Sequence, residues 1–161
     1  LGDRPVPGRY TESGAGARAD IAVYRPRTGE WFVRRANDGA LIYVLWGGPA
    51  ERDVPVPGDY DADGLTDIAV YRRTTGEWFI RRSSDQGLFC TAWGGPSLGD
   101  LPVPGDYDGD MATDIIRFRR GGRPQDPGQL ALEQTRSTRR GSNPGVRHSA
   151  LRAVSSAAVT A

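Results

Sequence analysis

The sequence repeats itself with a period of 47 residues, and this repeat limits the possible folds more than any other feature. Residues 20–66 and 67–113 align without a gap and share 29 identical positions. A unit of this length cannot bury an apolar face by itself, so neighbouring units must stack to form a continuous core. These two units are complete, and partial units precede and follow them within residues 1–120.

Each repeat contains four short segments with the composition of β-strands, at 54–58, 67–72, 77–82 and 88–94. The segment 67–72 is almost continuously apolar, which predicts a strand that is buried on both faces. Pro55 and Pro57 have no amide donor, so the first strand must lie at the edge of a sheet or be irregular. Four strands per repeat of this length are typical of a propeller blade. We therefore predict an all-β fold that forms part of a β-propeller with four-stranded blades.

The loop before the strand at 67–72 carries aspartates at alternate positions. Asp59, Asp61 and Asp63 are followed by Gly64, and Asp67 begins the strand. Carboxylates in a tight loop repel one another unless a hard cation, which takes oxygen ligands at about 2.3–2.6 Å, lies between them. A glycine after the third acid allows the sharp turn that such a loop needs. The pattern predicts a calcium loop that leads directly into a strand.

The repeat resembles a known family in its motifs. Pro-Val-Pro-Gly-Asp-Tyr-Asp-x-Asp-Gly-x-x-Asp-Ile-Ala-Val-Tyr-Arg, closed by Trp-Gly-Gly-Pro, is similar to the FG-GAP/VCBS repeats of integrin-α-like β-propellers, over about residues 2–119. The resemblance implies one calcium ion per acidic loop, with one ligand bound through its backbone carbonyl. The implied ligands are Asp59, Asp61, Asp63, the Leu65 carbonyl and Asp67, and in the next unit Asp106, Asp108, Asp110, the Ala112 carbonyl and Asp114. Met111 stands where the family has glycine, so we expect a strained turn and weaker binding in the second loop.

The corresponding loop of the first unit departs further from the family pattern. Arg9, Thr11 and Ser13 replace the acidic residues, and Asp20 alone remains. We expect no calcium in this loop, because a single carboxylate supplies too few ligands. We expect the Arg9 guanidinium to occupy part of the space beside the aspartate.

The repeat pattern stops after residue 120. Residues 121–161 contain no Trp, Tyr, Phe, Ile, Met or Cys, so we expect a tail that is disordered or weakly helical, with at most a marginal helix at 146–158. Residues 117–161 hold nine arginines and two acidic residues, so the tail is basic and the preceding chain is acidic. The abrupt change supports the hypothesis of a frameshift or an artificial terminus. The chain starts inside a repeat, and we expect it to be a piece of a longer protein.

Residues that could support catalysis are scarce. His148 is the single histidine and lies in the tail, so no Ser-His-Asp set can form in the repeats. The chain contains no lysine and therefore no phosphate-binding loop of the Walker type. Cys90 is the single cysteine, which excludes an intrachain disulfide. We expect a protein that is not an enzyme.

The repeat and its acidic loops favour a non-catalytic calcium-binding module of a secreted or cell-surface protein. By resemblance, such a module serves adhesion, display or the support of an attached domain, and its partners are further blades, that attached domain or a surface protein. A lectin-like propeller that binds carbohydrate is one alternative, and an accessory module of a secreted hydrolase is another. The tryptophans that could stack on sugars are Trp31, Trp46, Trp78 and Trp93, although packing between blades is the simpler role. We expect neither a nucleic-acid partner nor a membrane span.

Overall fold

The computed structural model describes residues 2–95 and 99–118, together with the backbone of residues 133–135. These residues form three antiparallel sheets and one short 3-10 helix, Pro49–Glu51, and they contain no α-helix. The first sheet, in the order β1-β2-β3-β4, consists of Arg4–Pro5, Ile21–Arg25, Glu30–Arg34 and Leu41–Leu45. The second, in the order β5-β6-β7-β8, consists of Asp53–Pro55, Ile68–Arg72, Glu77–Arg81 and Leu88–Ala92. The third has β10, Ile115–Phe118, between β11, Glu133–Thr135, and β9, Leu101–Pro102, and the all-β prediction is confirmed.

Each sheet begins with the proline-containing strand. The boundaries of the sheets therefore differ from those of the aligned units 20–66 and 67–113, which begin at the second strand. The proline-containing strand lies at the edge of its sheet, as its prolines predict. It ends at Pro55, earlier than expected, although the Val56 N–H still donates to the Ala69 carbonyl at 2.9 Å. The bridge between Gly58 and Asp67 continues the pairing beyond Pro57.

Strand β6 is buried on both faces, as its almost continuous apolar sequence predicts. Val70 packs into a core with Tyr24 and Trp31 of the first sheet. Its neighbour Tyr71 points the opposite way, into a second core that includes Ile115 of β10. The three sheets therefore stack in chain order, with the second sheet between the other two.

Tryptophans stabilise the ends of the first and second sheets. Trp31 and Trp78 have no exposed surface, and their Nε1–H groups donate to the carbonyls of Trp46 at 2.8 Å and Trp93 at 2.9 Å. Trp46 also crosses between sheets, because its Nε1–H donates to the carbonyl of Phe79 in β7 at 3.2 Å. These side chains therefore hold together neighbouring strands and neighbouring sheets.

Buried aspartates fix the connections from one sheet to the next. The Asp53 carboxylate accepts the N–H of Gly48 at 2.7 Å and two N–H groups of Arg72 at 3.0 and 3.1 Å. Asp100 has the same role before the third sheet, where it accepts the Gly95 N–H at 2.8 Å and pairs with a buried arginine of β10. In the second and third sheets, one carboxylate thereby joins the preceding linker to the second strand of the sheet.

The expectation of a disordered or weakly helical tail is wrong at Glu133–Thr135, which forms the strand β11. β11 pairs antiparallel with β10 and places Gln134 opposite Ile116, so three residues of the tail take part in the third sheet. β10 therefore lies between two strands and is not an edge of its sheet. The disorder expected for the rest of the tail, and the marginal helix expected at 146–158, lie outside the described residues.

Candidate metal sites

The loop between β5 and β6 brings three carboxylates together. Asp59, Asp61 and Asp67 each offer an oxygen, and these atoms lie within 4.8 Å of one another. The loop closes because the Asp67 N–H donates to the Gly58 carbonyl at 2.7 Å in an antiparallel bridge. Since the bridge extends the pairing of β5 with β6, the sheet itself holds both ends of the acidic loop.

The first turn of this loop wraps around the Asp59 carboxylate. One Asp59 oxygen accepts the Asp63 N–H at 3.1 Å, and the other accepts the Gly64 N–H at 2.9 Å. Burial raises the pKa of Asp59 above its usual range, and the charges of Asp63 and Asp61 act in the same direction. The loop thus keeps its carboxylates close together at an electrostatic cost that a cation would offset.

Asp67 has no exposed surface at all. Its Oδ2 accepts the Tyr60 N–H at 2.8 Å, and its Oδ1 accepts the Ser83 N–H at 2.7 Å. Burial outweighs these hydrogen bonds and raises the pKa of Asp67 to about 6. A positive charge at this position would favour the ionised form, which is the form that binds metals.

Two serines from the turn after β7 complete the surroundings, and sequence reasoning did not identify them. The Ser83 hydroxyl donates to Asp63 Oδ2 at 2.7 Å, and the Ser84 hydroxyl donates to Asp61 Oδ2 at 2.5 Å. The first unit has Ala36 at the position of Ser83. Only in the second unit do two serines follow the arginine doublet. This is the one sequence signal that could have indicated the contact.

One oxygen of the group is left without a hydrogen bond. Asp61 Oδ1 is buried, and no group of the described residues donates to it. A buried carboxylate oxygen without a partner carries a desolvation cost that is not recovered. A cation held by Asp59, Asp61 and Asp67 would satisfy this oxygen, so the residues present fit a metal ion.

The 106–114 loop repeats the arrangement with greater exposure to solvent. Asp106, Asp108 and Asp114 have oxygens within 4.8 Å of one another. The Asp106 carboxylate accepts the N–H groups of Gly109 at 2.7 Å and Met111 at 3.1 Å. Asp114 is buried, but Asp106 and Asp108 are exposed, whereas their counterparts in the preceding loop are half-buried. This second group could also hold a metal ion, in closer contact with water.

Each loop has two residues in the left-handed region of φ. These are Ala62 at 57° and Gly64 at 87° in the first loop, and Gly109 at 81° and Met111 at 71° in the second. Met111 adopts the conformation of the glycine that it replaces, as the sequence predicts, and Ala62 carries the same kind of strain in the other loop. The positions of the glycines therefore do not indicate which of the two loops has the more strained backbone.

The loop of the first unit satisfies its aspartate with protein hydrogen bonds. Asp20 is buried and accepts the N–H of Tyr10 at 2.9 Å, the N–H of Ala36 at 2.8 Å and the Thr11 hydroxyl at 3.0 Å. The expectation that the Arg9 guanidinium occupies this space is wrong, because Arg9 is exposed and the hydroxyl lies there instead. A hydroxyl can be buried beside a carboxylate at a smaller desolvation cost than a guanidinium.

Backbone hydrogen bonds join the loops of neighbouring sheets. The Thr66 N–H donates to the Arg9 carbonyl at 2.6 Å, and the Thr113 N–H donates to the Asp59 carbonyl at 2.5 Å. Each threonine directly precedes the last aspartate of its own loop. Gly58 permits the close approach, because a Cβ there would lie 2.7 Å from the Thr113 side chain. The loops thus form a connected row across the three sheets.

The structure brings together some of the implied ligands and leaves others outside the two groups. Those it brings together are Asp59, Asp61, Asp67, Asp106, Asp108 and Asp114. Asp63 and Asp110 instead use a carboxylate oxygen to accept the N–H of Leu65 at 2.7 Å and of Ala112 at 2.9 Å. Metal binding through the carbonyls of Leu65 and Ala112 stays a prediction.

Comparison with protein-family models, with the curated proteins and with the solved structures finds no match to this chain. Among the residues that the structure describes, no helix has the length and apolar character needed to cross a membrane. The two acidic groups and the stacked sheets are therefore the features from which a function can be inferred.

Proposed function

We propose that the chain is a calcium-binding repeat module with no catalytic activity of its own. The observation that carries this proposal is the group of Asp59, Asp61 and Asp67, with oxygens within 4.8 Å of one another and with the buried Asp61 Oδ1 unpartnered. Three carboxylates surrounded by N–H and hydroxyl donors leave excess negative charge in a partly buried place. A divalent cation neutralises such a charge most directly.

Calcium suits this donor set better than other divalent ions do. Both groups consist of aspartates alone, without histidine or cysteine, which disfavours zinc and copper. Magnesium requires near-ideal octahedral geometry, whereas calcium accepts about six to eight oxygens in a flexible arrangement. Backbone carbonyls, such as those implied at Leu65 and Ala112, and water would supply the remaining ligands.

The position of the 59–67 loop suggests what the ion contributes. The loop joins β5 to β6, and the Asp59 carbonyl also holds the third sheet through Thr113. Neutralising the carboxylates would therefore stabilise two strands and the junction between two sheets. Because the unfolded chain has no such site, the free energy of calcium binding adds to the free energy of folding.

The stacking of the sheets supports a β-propeller of the FG-GAP/VCBS type. Each sheet has its proline strand at one edge, and β6 packs against the sheets on both sides through Val70 and Tyr71. Ile21 is 70% exposed on the first sheet, whereas its repeat counterpart Ile68 is partly buried against the first sheet. A further sheet of the same kind would cover Ile21, which fits a partner made of additional blades.

The buried tryptophans favour a scaffold over a lectin. Trp31 and Trp78 are 0% exposed, so their rings support packing and are not available to stack on a sugar. A scaffold of this kind would serve adhesion, display or the support of an attached domain, including a secreted hydrolase encoded outside these residues. Millimolar calcium outside cells would fill even weak sites, so we place the protein in the extracellular space or at the cell surface.

Calcium titration of the full chain by isothermal calorimetry, after treatment with a chelator, tests the proposal. We expect two binding events with dissociation constants of about 10⁻⁴–10⁻³ M or tighter. Asp61→Asn should remove one event and Asp108→Asn the other, because each removes a carboxylate from its group. Asp85→Asn is the matched control, since Asp85 is exposed, pairs with Arg82 and lies outside both groups. Calcium uptake that is unchanged in both Asp61→Asn and Asp108→Asn would contradict the proposal.

A further inference from the structure

Strand β4 is unusually apolar for a strand that faces solvent. Its sequence is Leu-Ile-Tyr-Val-Leu, without a charge or a proline. Leu41, Tyr43 and Leu45 are 66%, 54% and 61% exposed, and Ile42 is 36% exposed. A contiguous run of this kind at a sheet edge is a template for pairing with another strand.

The backbone of β4 has an unused hydrogen-bonding edge. β4 is the last strand of its sheet, and its inner neighbour is β3. The Arg35 N–H donates to the Ala40 carbonyl and the Trp46 N–H donates to the Gly29 carbonyl, so the even-numbered residues of β4 bond to β3. Because bonding direction alternates along an antiparallel strand, the N–H and C=O groups of Leu41, Tyr43 and Leu45 point away from β3.

The other edges of the described sheets differ from β4. The strands β1, β5 and β9 contain Pro5, Pro55 and Pro102, which remove amide donors and protect those edges from pairing. The counterpart of β4 in the second sheet, β8, has Cys90 in place of Tyr43 and Ala92 in place of Leu45. β8 also lacks proline and charge, so β4 differs from it in the larger apolar side chains that it exposes.

A missing neighbour of the first sheet does not explain this exposure. In the second sheet the equivalent face is packed against the first sheet through Val70, yet Leu88 on β8 is still 59% exposed. Neighbouring sheets cover the middle strands and leave the outer strand open to solvent. A further sheet stacked on the first would therefore leave the edge of β4 free.

The order of residues in β4 indicates what pairs with it. The strand reads almost the same in both directions about Tyr43, with Leu41 matching Leu45 and Ile42 matching Val44. Two copies aligned antiparallel would place leucine opposite leucine, isoleucine opposite valine and tyrosine opposite tyrosine. Such aromatic and β-branched pairs across strands are favourable on both faces of a sheet.

We infer that β4 pairs antiparallel with β4 of a second copy of this chain, in register about Tyr43. The first sheets of the two copies then form one continuous sheet across a two-fold axis, with the same residues on both sides of the interface. The outward N–H and C=O groups of Leu41, Tyr43 and Leu45 bond to their counterparts. This interface is separate from the acidic loops and does not depend on calcium.

Sedimentation velocity of the full chain tests the interface, with and without calcium. We expect a dimer whose association is at least tenfold weaker in Leu41→Lys/Leu45→Lys, which sets lysines opposite one another across the two-fold axis. The matched control is Leu88→Lys/Ala92→Lys on β8, which should leave the dimer unchanged. A wild-type monomer at the highest accessible concentration, or a dimer that survives the β4 substitutions, would overturn the inference.

Disulfide trapping tests the register and separates strand pairing from stacking of sheet faces. In a Cys90→Ser background, Tyr43→Cys should form a covalent dimer on mild oxidation, because directly opposed residues lie about 5.5 Å apart at Cα, within the disulfide range. Ile21→Cys is the control, since it is exposed on the same sheet but belongs to β2, two strands from the edge. Cross-linking through Ile21→Cys and not through Tyr43→Cys would show that faces stack and would refute the β4 interface.

Discussion

The N–H of Thr113 donates to the carbonyl oxygen of Asp59 across the junction between the second and third sheets. Asp59 is a candidate ligand in one acidic loop, and Thr113 directly precedes Asp114, a candidate ligand in the other. A backbone hydrogen bond therefore joins the two candidate loops directly.

We expect calcium binding to the two loops to be cooperative. Asp61→Asn removes a ligand from the first loop without touching Thr113, and it should lower the calcium affinity of the 106–114 loop several-fold. Because coupling between two calcium sites is reciprocal, Asp108→Asn should likewise lower the affinity of the 59–67 loop. Calorimetry of each variant measures the site that remains, and two remaining sites with their wild-type affinities would show that the loops are independent.

Gly58→Ala should weaken this coupling and destabilise the fold. A Cβ at Gly58 would lie 2.7 Å from the Thr113 side chain, so the second and third sheets would have to move apart. We expect a loss of about 1–3 kcal/mol in the free energy of unfolding, as for other overpacked contacts. Gly2→Ala has nothing within 4 Å and serves as the neutral control in chemical denaturation. Wild-type stability in Gly58→Ala would mean that the junction relaxes without cost.

The strands of the second sheet could be predicted because local patterns specify them. Ile68–Arg72 and Glu77–Arg81 lie within one residue of the strands predicted at 67–72 and 77–82. Their β-branched and aromatic residues favour strands whichever neighbour covers them. The pairing of β11 with β10 could not be predicted, because the residues Glu133–Thr135 have no apolar pattern that marks a strand.

The candidate site was predictable to the extent that it is local in sequence. Alternate aspartates with a closing Asp67 predict a converging loop, and the structure brings Asp59, Asp61 and Asp67 together. Ser83 and Ser84 lie 20 and 23 residues along the chain from the aspartates that they contact, so no pattern within the loop could indicate these contacts. Contacts between separate turns depend on how the strands are paired, which the loop sequence does not encode.

Asp53→Ala should cost far more stability than Asp3→Ala, although both aspartates pair with an arginine at the same repeat position. The Asp53 side chain is 0% exposed and its partner Arg72 is 24% exposed, whereas Asp3 and Arg25 are 39% and 40% exposed. Breaking the buried pair should lower the free energy of unfolding by about 3 kcal/mol, because Arg72 is left partly buried without its partner. The exposed pair should contribute little, since water and salt screen it. Urea denaturation measures the free energy of unfolding of both variants. Equal losses of stability would contradict the role assigned to burial.

Met111→Gly should stabilise the protein slightly. Met111 has a φ of 71° and is 76% exposed, so the substitution relieves a left-handed conformation and removes no packing. The gain should be at most about 1 kcal/mol, since glycine also increases the entropy of the unfolded chain. Gly64→Ala, at a φ of 87°, should change stability in the opposite direction. Thermal unfolding measures the stability of the two variants. A destabilised Met111→Gly protein would show that the Met111 side chain stabilises the fold by more than its left-handed backbone costs.

Ser84→Ala should weaken calcium binding at the 59–67 loop while leaving the fold intact. The Ser84 hydroxyl donates to Asp61 Oδ2 at 2.5 Å, and this contact holds the carboxylate with its buried Oδ1 free to bind a cation. Removing a group that orients a ligand typically lowers metal affinity by about 10–100-fold, and we expect the lower end because Ser84 is exposed. Thr75→Ala is the matched control, since its hydroxyl also donates to a carboxylate, that of Glu77, away from the acidic loops. Calorimetry should show weaker calcium binding in Ser84→Ala alone. If both variants bind as the wild type does, the serine does not position Asp61.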